Sequence, residues 1–283
     1  MDLSLEKQLK QMALRIRIST LTAFGSLGFG HIGGSLSIVD TLAVLYGDVM
    51  RIRPEEPDWP ERDKFVCSKG HAGPAVYATL ALRGFFPASE LSTLNQPGTN
   101  LPSHCDRNKT PGIDMTTGSL GQGASLAAGM ALGDKLRGRD SRIFLMLGDG
   151  EINEGQVWEA AMFAAARNLD NLTVFVDQNG KQLDGYTVDV LDSGDIAAKF
   201  EAFGFETQRV EGNEIAQVYE AVVKAAARCG KPHAIILHTT KGAGVPEVEQ
   251  TVANHNMNFV PGQVDGWLEE LQRQLDAMGG GKQ

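Results

Sequence analysis

From residue 119 onward the sequence alternates strand-like runs with amphipathic helical runs, and this alternation constrains the fold more than any other feature. The strand-like runs are RIFLML (142–147), LTVFVD (172–177), ETQRV (206–210) and HAIILHT (233–239). Between and before them lie GASLAAGMALGDKLRG (123–138), GQVWEAAMFAAARNL (155–169), DIAAKFEAFG (195–204) and IAQVYEAVVKAAARC (215–229). Short apolar strands separated by helix-length segments need crossover connections, which predicts an α/β fold with a parallel sheet flanked by helices on both faces. Ligands of such sheets bind outside the carboxyl ends of the strands.

The first part of the chain is less regular. Leu5, Leu9, Met12 and Ile16 recur at helical spacing through LSLEKQLKQMALRIRISTL, so a helix precedes the stretch GFGHIGG (28–34). The first six residues of that stretch fit the glycine pattern of dinucleotide-binding proteins, but that pattern carries its meaning only after a strand, so the glycines read as a link between two helices. Ser35 is the expected N-cap of the second helix, over SIVDTLAVLYGDVM. Residues 51 to 118 are rich in turn formers. KFVCS reads as a strand and AVYATLALRG as a helix, followed by the long link NQPGTNLPSHCDRNKTPG, a length associated with functional loops. A short amphipathic helix with Trp267, Leu268, Leu271 and Leu275 on one side leads into the tail GGGKQ, which is expected to be flexible.

The formal net charge of −9 argues against a nucleic-acid surface, which needs concentrated Lys and Arg. A phosphate-bearing ligand would have to be held by backbone amides, a metal or a few local cations. The cysteines Cys67, Cys105 and Cys229 are odd in number and widely spaced, which fits neither a disulfide framework nor a zinc ribbon. The His104–Cys105 neighbours are a poor nucleophile pair, since adjacent residues rarely meet in working geometry. No apolar run reads as a membrane span and the charged N-terminus does not read as a secretion signal, so a cytoplasmic protein is expected.

Two turns carry the chemistry. RIFLML runs into GDGEINEG, and LTVFVD runs into DQNGKQLDG, so Asp149 and Asn179 fall where neighbouring parallel strands end. A carboxylate and an amide oxygen there, beside a helix starting near Asn153, suit a hard cation such as Mg²⁺ that bridges to phosphate oxygens. Taken singly, GDG and QNG are also ordinary turn sequences.

Taken together, GDGEINEGQVWEAAMFAAARNLDNLTVFVDQNGKQLDG resembles the thiamine diphosphate motif, and its closing part resembles that of transketolase in particular. The resemblance extends from about residue 5 to 265. It implies a thiamine diphosphate-binding fold over residues 1–265, with residues 266–283 as a C-terminal helix and flexible tail. It implies Asp149 and Asn179 as metal ligands through side-chain oxygens and Lys181 as a ligand through its carbonyl, the metal being Mg²⁺ or another divalent cation such as Ca²⁺ or Mn²⁺. Gly150 would lie against the diphosphate.

GFGHIGGSLS then resembles the family segment whose histidine, here His31, faces the thiazolium and the sugar. FVCSKGHAGPAVYATL resembles the segment of a second histidine, His71, on the cofactor. LPSHCDRNKTPGIDMTTGSLGQG resembles the segment of a third, His104, followed by the loop whose Gly118, Ser119 and Leu120 meet the cofactor. HTTKGAG resembles a turn that puts Lys241 near the cofactor, and His255 falls where a fourth histidine is expected. The implied reaction, transfer of a two-carbon ketol unit between sugars, needs donors and proton carriers around the first two carbons of the sugar. Imidazole serves both purposes near neutral pH. Glu154 matches an interface position that can join a proton path, while a first-turn glutamate complementing the helix dipole explains it as well. His233 and His238 fit no motif and read as structural.

Where the family has proline, this chain has Ile32 and Ser119, and Asn256 replaces the usual glycine after the fourth histidine. No segment after 265 resembles the pyrimidine-binding half of a complete transketolase. The resemblance therefore implies the N-terminal subunit of a split enzyme, acting with a C-terminal subunit, two copies of each, on sugars and sugar phosphates. The alternatives are the α subunit of a 2-oxoacid dehydrogenase, which shares the GDG motif, and a non-catalytic thiamine diphosphate-binding module.

Overall fold

The computed structural model describes residues 1–280; the last three residues of the expected flexible tail lie outside them. Five strands form one parallel sheet: β1 (Lys64–Cys67), β2 (Ile143–Gly148), β3 (Leu172–Gln178), β4 (Glu206–Glu211) and β5 (His233–His238), in the order β1-β2-β3-β5-β4. Around them run, in chain order, the helices α1 (Leu3–Leu27), α2 (Ile32–Leu36), α3 (Val39–Val44), α4 (Gly73–Leu82), α5 (Gln122–Leu136), α6 (Gly155–Ala166), α7 (Ile196–Phe203), α8 (Ile215–Ala226) and α9 (Gln263–Ala277).

The strands bury both faces because successive side chains point to opposite sides. Leu145 and Leu147 of β2, Val174 and Val176 of β3 and Ile236 of β5 pack with α5, α6 and α7. Phe144, Met146, Phe175, Ile235 and Leu237 pack with α1, α3, α4, α8 and α9. This is the predicted sheet with helices on both sides, and β2 and β3 are neighbours in register, with Gly148 opposite Asp177. Asp149 and Asn179 therefore do follow adjacent strand ends.

Three local expectations are corrected. Ser35 does not cap a helix; it lies inside α2, where its hydroxyl donates to the His31 carbonyl one turn back (2.8 Å), and His31 occupies the N-cap position. The helix expected from near Asn153 begins at Gly155, after a 3₁₀ turn over Glu151–Asn153. The C-terminal helix starts at Gln263 rather than 266, following Gly262 in a left-handed conformation, and buries Leu271 and Leu275 in the core cluster that also contains Leu9 and Leu14 of α1. It is thus continuous with the rest of the domain.

One stretch, Ile32–Val49, is long and apolar enough to cross a membrane by length and composition, contrary to the expectation that no such run exists. It is 83% buried inside the protein, the setting in which a helical segment apolar on all sides is stable.

Candidate active site

The carboxyl ends of β1, β2, β3 and β5 open into a cavity of about 350 Å³. Every residue expected at the site lines it except Ser119, which is exposed at the turn before α5, where its carbonyl accepts from Gln122 N–H.

At the floor, Asp149 follows β2 directly. One carboxylate oxygen accepts the Gly150 amide (2.8 Å) and the other accepts the Gly180 amide (2.6 Å), which fastens the β3 loop to the end of β2. The Asn179 side-chain oxygen accepts the Lys181 amide (3.1 Å), and the Lys181 carbonyl accepts from the Lys241 ammonium (2.9 Å). Gly150 is closely approached by Gln182, since a Cβ would lie 2.8 Å from its amide oxygen and 3.0 Å from its Cβ. Burial, reinforced by the Asp177 carboxylate, pushes Asp149 up to about 6. Burial, reinforced by the Lys69 ammonium, brings Lys241 down to about 8.

At the rim, four imidazoles from four distant segments meet. The His31 ring centroid lies 5.5 Å from His71, 5.7 Å from His104 and 5.3 Å from His255, and His71 lies 4.7 Å from His255. The backbone explains the convergence. Phe29–Gly30 pairs antiparallel with Met257–Asn258, setting His31 beside His255. The Gly33 amide donates to the Asn254 carbonyl (3.1 Å), and the Gly242 amide donates to the Gly33 carbonyl (3.0 Å). Gly33 must be glycine for this contact, because a Cβ would sit 2.4 Å from that Asn254 oxygen. Gly34 passes His71 less tightly, its missing Cβ 3.1 Å from the ring nitrogen, so a side chain there would press the ring aside.

All four rings are held toward the neutral form. Burial lowers His31, His71 and His104, and burial with the Lys241 ammonium lowers His255 to about 3. Neutral imidazoles can each donate and accept one hydrogen bond, which suits a polyhydroxyl ligand. Glu154 lines the mouth from the N-cap position of α6 without capping it, so its carboxylate is free for the cavity. Of the two histidines outside the motifs, His233 is buried near Cys229, 3.6 Å away, and His238 is exposed at the end of β5. Neither lines the cavity.

Three buried charged residues of the site were not singled out by the sequence. Lys69 and Asp177 form an ion pair at 2.5 Å, and Glu151 accepts from Ser68, from the Gly121 amide (2.9 Å) and from the Gly148 amide (3.0 Å). The available signal was a charge directly at the end of an apolar strand, as in VFVD and VCSK.

Residues 8–266 match the family described as the transketolase, thiamine diphosphate binding domain. The chain belongs to the transketolase family. Within it, the chain is 49% identical over 266 residues to a 6-deoxy-6-sulfo-D-fructose transketolase subunit of Clostridium sp. (strain MSTE9), covering 94% of this chain and 97% of that one. It is 40% identical to one of the apulose-4-phosphate transketolase subunits of Actinobacillus succinogenes, covering 94% and 96%. The crystal structure of transketolase from Campylobacter jejuni superposes with a TM-score of 0.88 at 27% identity, covering 98% of this chain but 43% of that one. This transketolase domain thus spans nearly all of its subunit relatives and under half of the solved transketolases.

The donor set at the floor fits the implied cation. Among the described residues no group of three or more His, Cys, Asp and Glu could hold a metal on its own. Asp149, Asn179 and the Lys181 carbonyl offer oxygens alone and a single negative charge. That is an incomplete shell of the kind a hard cation completes with phosphate oxygens and water.

Proposed function

We propose that this chain is the diphosphate- and metal-binding subunit of a two-chain transketolase that moves a two-carbon ketol unit from a ketose to an aldose acceptor. The convergence of four neutral imidazoles above an all-oxygen cation floor carries this reading. A 2-oxoacid dehydrogenase subunit or a non-catalytic module gives no comparable reason for four proton-carrying groups at a sugar-sized opening.

Asp149, Asn179 and the Lys181 carbonyl hold Mg²⁺ or a similar divalent ion, and the backbone at Gly150 approaches the diphosphate. Thiamine diphosphate, when bound, supplies the electron sink for breaking the carbon–carbon bond. The protein's part is orientation and proton traffic. His31, His104 and His255 hold sugar hydroxyls and relay their protons, while His71, deeper beside Lys69, contacts both sugar and cofactor. Lys241 offers its charge beside the cation.

The partner is a separate chain carrying the pyrimidine-binding half, in an assembly of two copies of each. Two findings support this. Relatives of matching length are named as subunits. Leu183 at the cavity and Val188 and Leu191 in the segment that follows are 68%, 67% and 57% exposed, apolar side chains that a covering chain would bury. Donors bearing a terminal anionic group are the first to assay, both phosphate esters and 6-deoxy-6-sulfonates, since the relatives' names include both kinds.

The test is ketol transfer measured for this chain, for the partner chain, and for their mixture with thiamine diphosphate and Mg²⁺. Activity is expected in the mixture alone. Robust turnover by the isolated chain would refute the two-chain reading, and CO₂ release from a 2-oxoacid without a 3-hydroxyl, such as pyruvate, with no ketol transfer, would refute the transketolase reading.

A further inference from the structure

Asp177 is fully buried at the end of β3, and its carboxylate joins four chain segments. One oxygen accepts from Ser37 Oγ (2.7 Å), Lys69 Nζ (2.5 Å) and Asn179 Nδ2 (2.8 Å), and the other accepts from Thr239 Oγ1. Ser37 belongs to the His31 segment, Lys69 to the His71 segment and Thr239 to the Lys241 segment. An ionised carboxylate is an acceptor only, with about four lone-pair positions. Four donors therefore leave it little freedom to turn.

The contact with Asn179 has a chemical consequence. A side-chain amide has an oxygen end and a nitrogen end of nearly equal shape, and only its hydrogen-bond partners decide which way it faces. Asp177 can accept only from the nitrogen end, so the oxygen end is turned away from it, where the Lys181 amide donates to it (3.1 Å). An amide presented the other way would aim N–H groups at a cation. The Lys69 ammonium stands against the same carboxylate oxygen and supplies the counter-charge that an ionised group needs in a fully buried position.

We propose that Asp177 is a positioning residue that orients Asn179 so that its oxygen faces the bound cation, with Lys69 as the counter-charge that keeps Asp177 an acceptor. This rests on the cation and diphosphate reading of the floor. It predicts that the amide orientation, rather than the fold, is what Asp177 contributes to cation affinity.

The decisive variant is Asp177→Leu, which keeps roughly the size of the side chain but removes the acceptor that holds the nitrogen end of Asn179, so the amide is free to reverse. Mg²⁺ is titrated into the full chain at saturating thiamine diphosphate, and the cation-dependent rise in melting temperature is read. Half-saturation should need about 10- to 100-fold more Mg²⁺ than in the wild type, the usual cost of losing a residue that orients a ligand. In an Asn179→Ala background the same change should cost nothing further, because there is no amide left to orient.

An unchanged Mg²⁺ requirement in Asp177→Leu, or an equal loss in both backgrounds, would overturn the proposal. If Asp177→Leu leaves Lys69 unpaired and fails to fold, Lys69→Met/Asp177→Leu removes both charges and takes its place in the same comparison. A wild-type chain with no Mg²⁺-dependent shift, alone or with its partner, would instead count against the cation reading itself.

Discussion

The two ends of the cavity are built on opposite principles. The floor sits on strand ends, its charged side chains Asp149, Asp177 and Lys69 are buried, and its geometry comes from backbone amides and ionised groups: Asp149 held by the Gly150 and Gly180 amides, Asp177 held by Lys69. The rim is assembled from loops and helix starts spread from His31 to His255, and its four rings are held toward neutrality by burial and neighbouring cations. A floor of this kind suits a ligand that stays bound, since fixed charges aimed at a cation and a diphosphate need not move during turnover. A rim of neutral, two-way hydrogen-bonding groups suits a substrate that exchanges protons and leaves.

The largest expected effect comes from breaking the floor. Asp149→Ala removes the only carboxylate of the proposed ligand set, and its effect on metal-dependent affinity for thiamine diphosphate should exceed about 1000-fold, beyond the 10- to 100-fold typical of residues behind the ligands. Asn179→Ala should act in the same direction but less strongly, since an amide oxygen is a weaker ligand than a carboxylate. Circular dichroism should stay unchanged in both, because the residues follow the strands and contribute nothing to the apolar core. Binding of thiamine diphosphate by Asp149→Ala with wild-type affinity in the presence of Mg²⁺ would end the distinction between floor and rim.

Breaking the rim should leave the floor working. In the assembled enzyme His31→Ala, His104→Ala and His255→Ala should each slow ketol transfer by about 100-fold, the lower end for a positioned acid–base group, with cofactor affinity nearly unchanged. His71→Ala should lower both quantities, because this ring is wedged between Gly34 and the Lys69 side of the floor. Turnover of His104→Ala at the wild-type rate would remove that ring from the chemistry. Loss of cofactor from all four variants would show that the rim and floor act as one unit.

The floor and rim also differ in how legible they were. The sheet and the placement of the GDG and QNG turns at adjacent strand ends could be read because strand periodicity fixes which residues end a strand, and Asp149 and Asn179 closely follow two of the clearest apolar runs. The rim could be read only through family resemblance, since nothing in local spacing says that His31, His71, His104 and His255 meet. Their meeting depends on long-range backbone contacts, the Phe29–Gly30 ladder with Met257–Asn258 and the Gly33 link to Asn254. Asp177, Lys69 and Glu151 escaped because a charged residue next to an apolar strand reads locally as a boundary to solvent. Burial with a partner is a tertiary fact. Ser35 misled for a related reason: a serine near a helix start is an N-cap signal, yet here the tight passage of Gly33 and Gly34 past Asn254 and His71 lets the helix begin earlier, at Ile32.

The smallest and most diagnostic effect is on stability against pH, where floor and rim have opposite signs. His255 takes up a proton near pH 6.5 when unfolded but only near 3 when folded, so the unfolded chain binds more protons between those values, and stability is lost as pH falls through that window. Asp149 behaves in reverse. Its folded value of about 6 lies above the ordinary 3.8, so its contribution is fully present below 3.8 and is lost as pH rises through about 6. Melting temperatures of the chain without added metal, measured from about pH 7 down to about pH 4, should therefore fall less steeply in His255→Asn and more steeply in Asp149→Asn. Adding Mg²⁺ and thiamine diphosphate should stabilise the chain increasingly as pH rises through about 6, because the proposed cation site needs the ionised form of Asp149. The rim's acid loss should persist whether or not they are present. If His255→Asn and Asp149→Asn shifted the profile in the same direction, the opposed electrostatics of the two ends would be wrong, at Asp149 if both flattened it and at His255 if both steepened it.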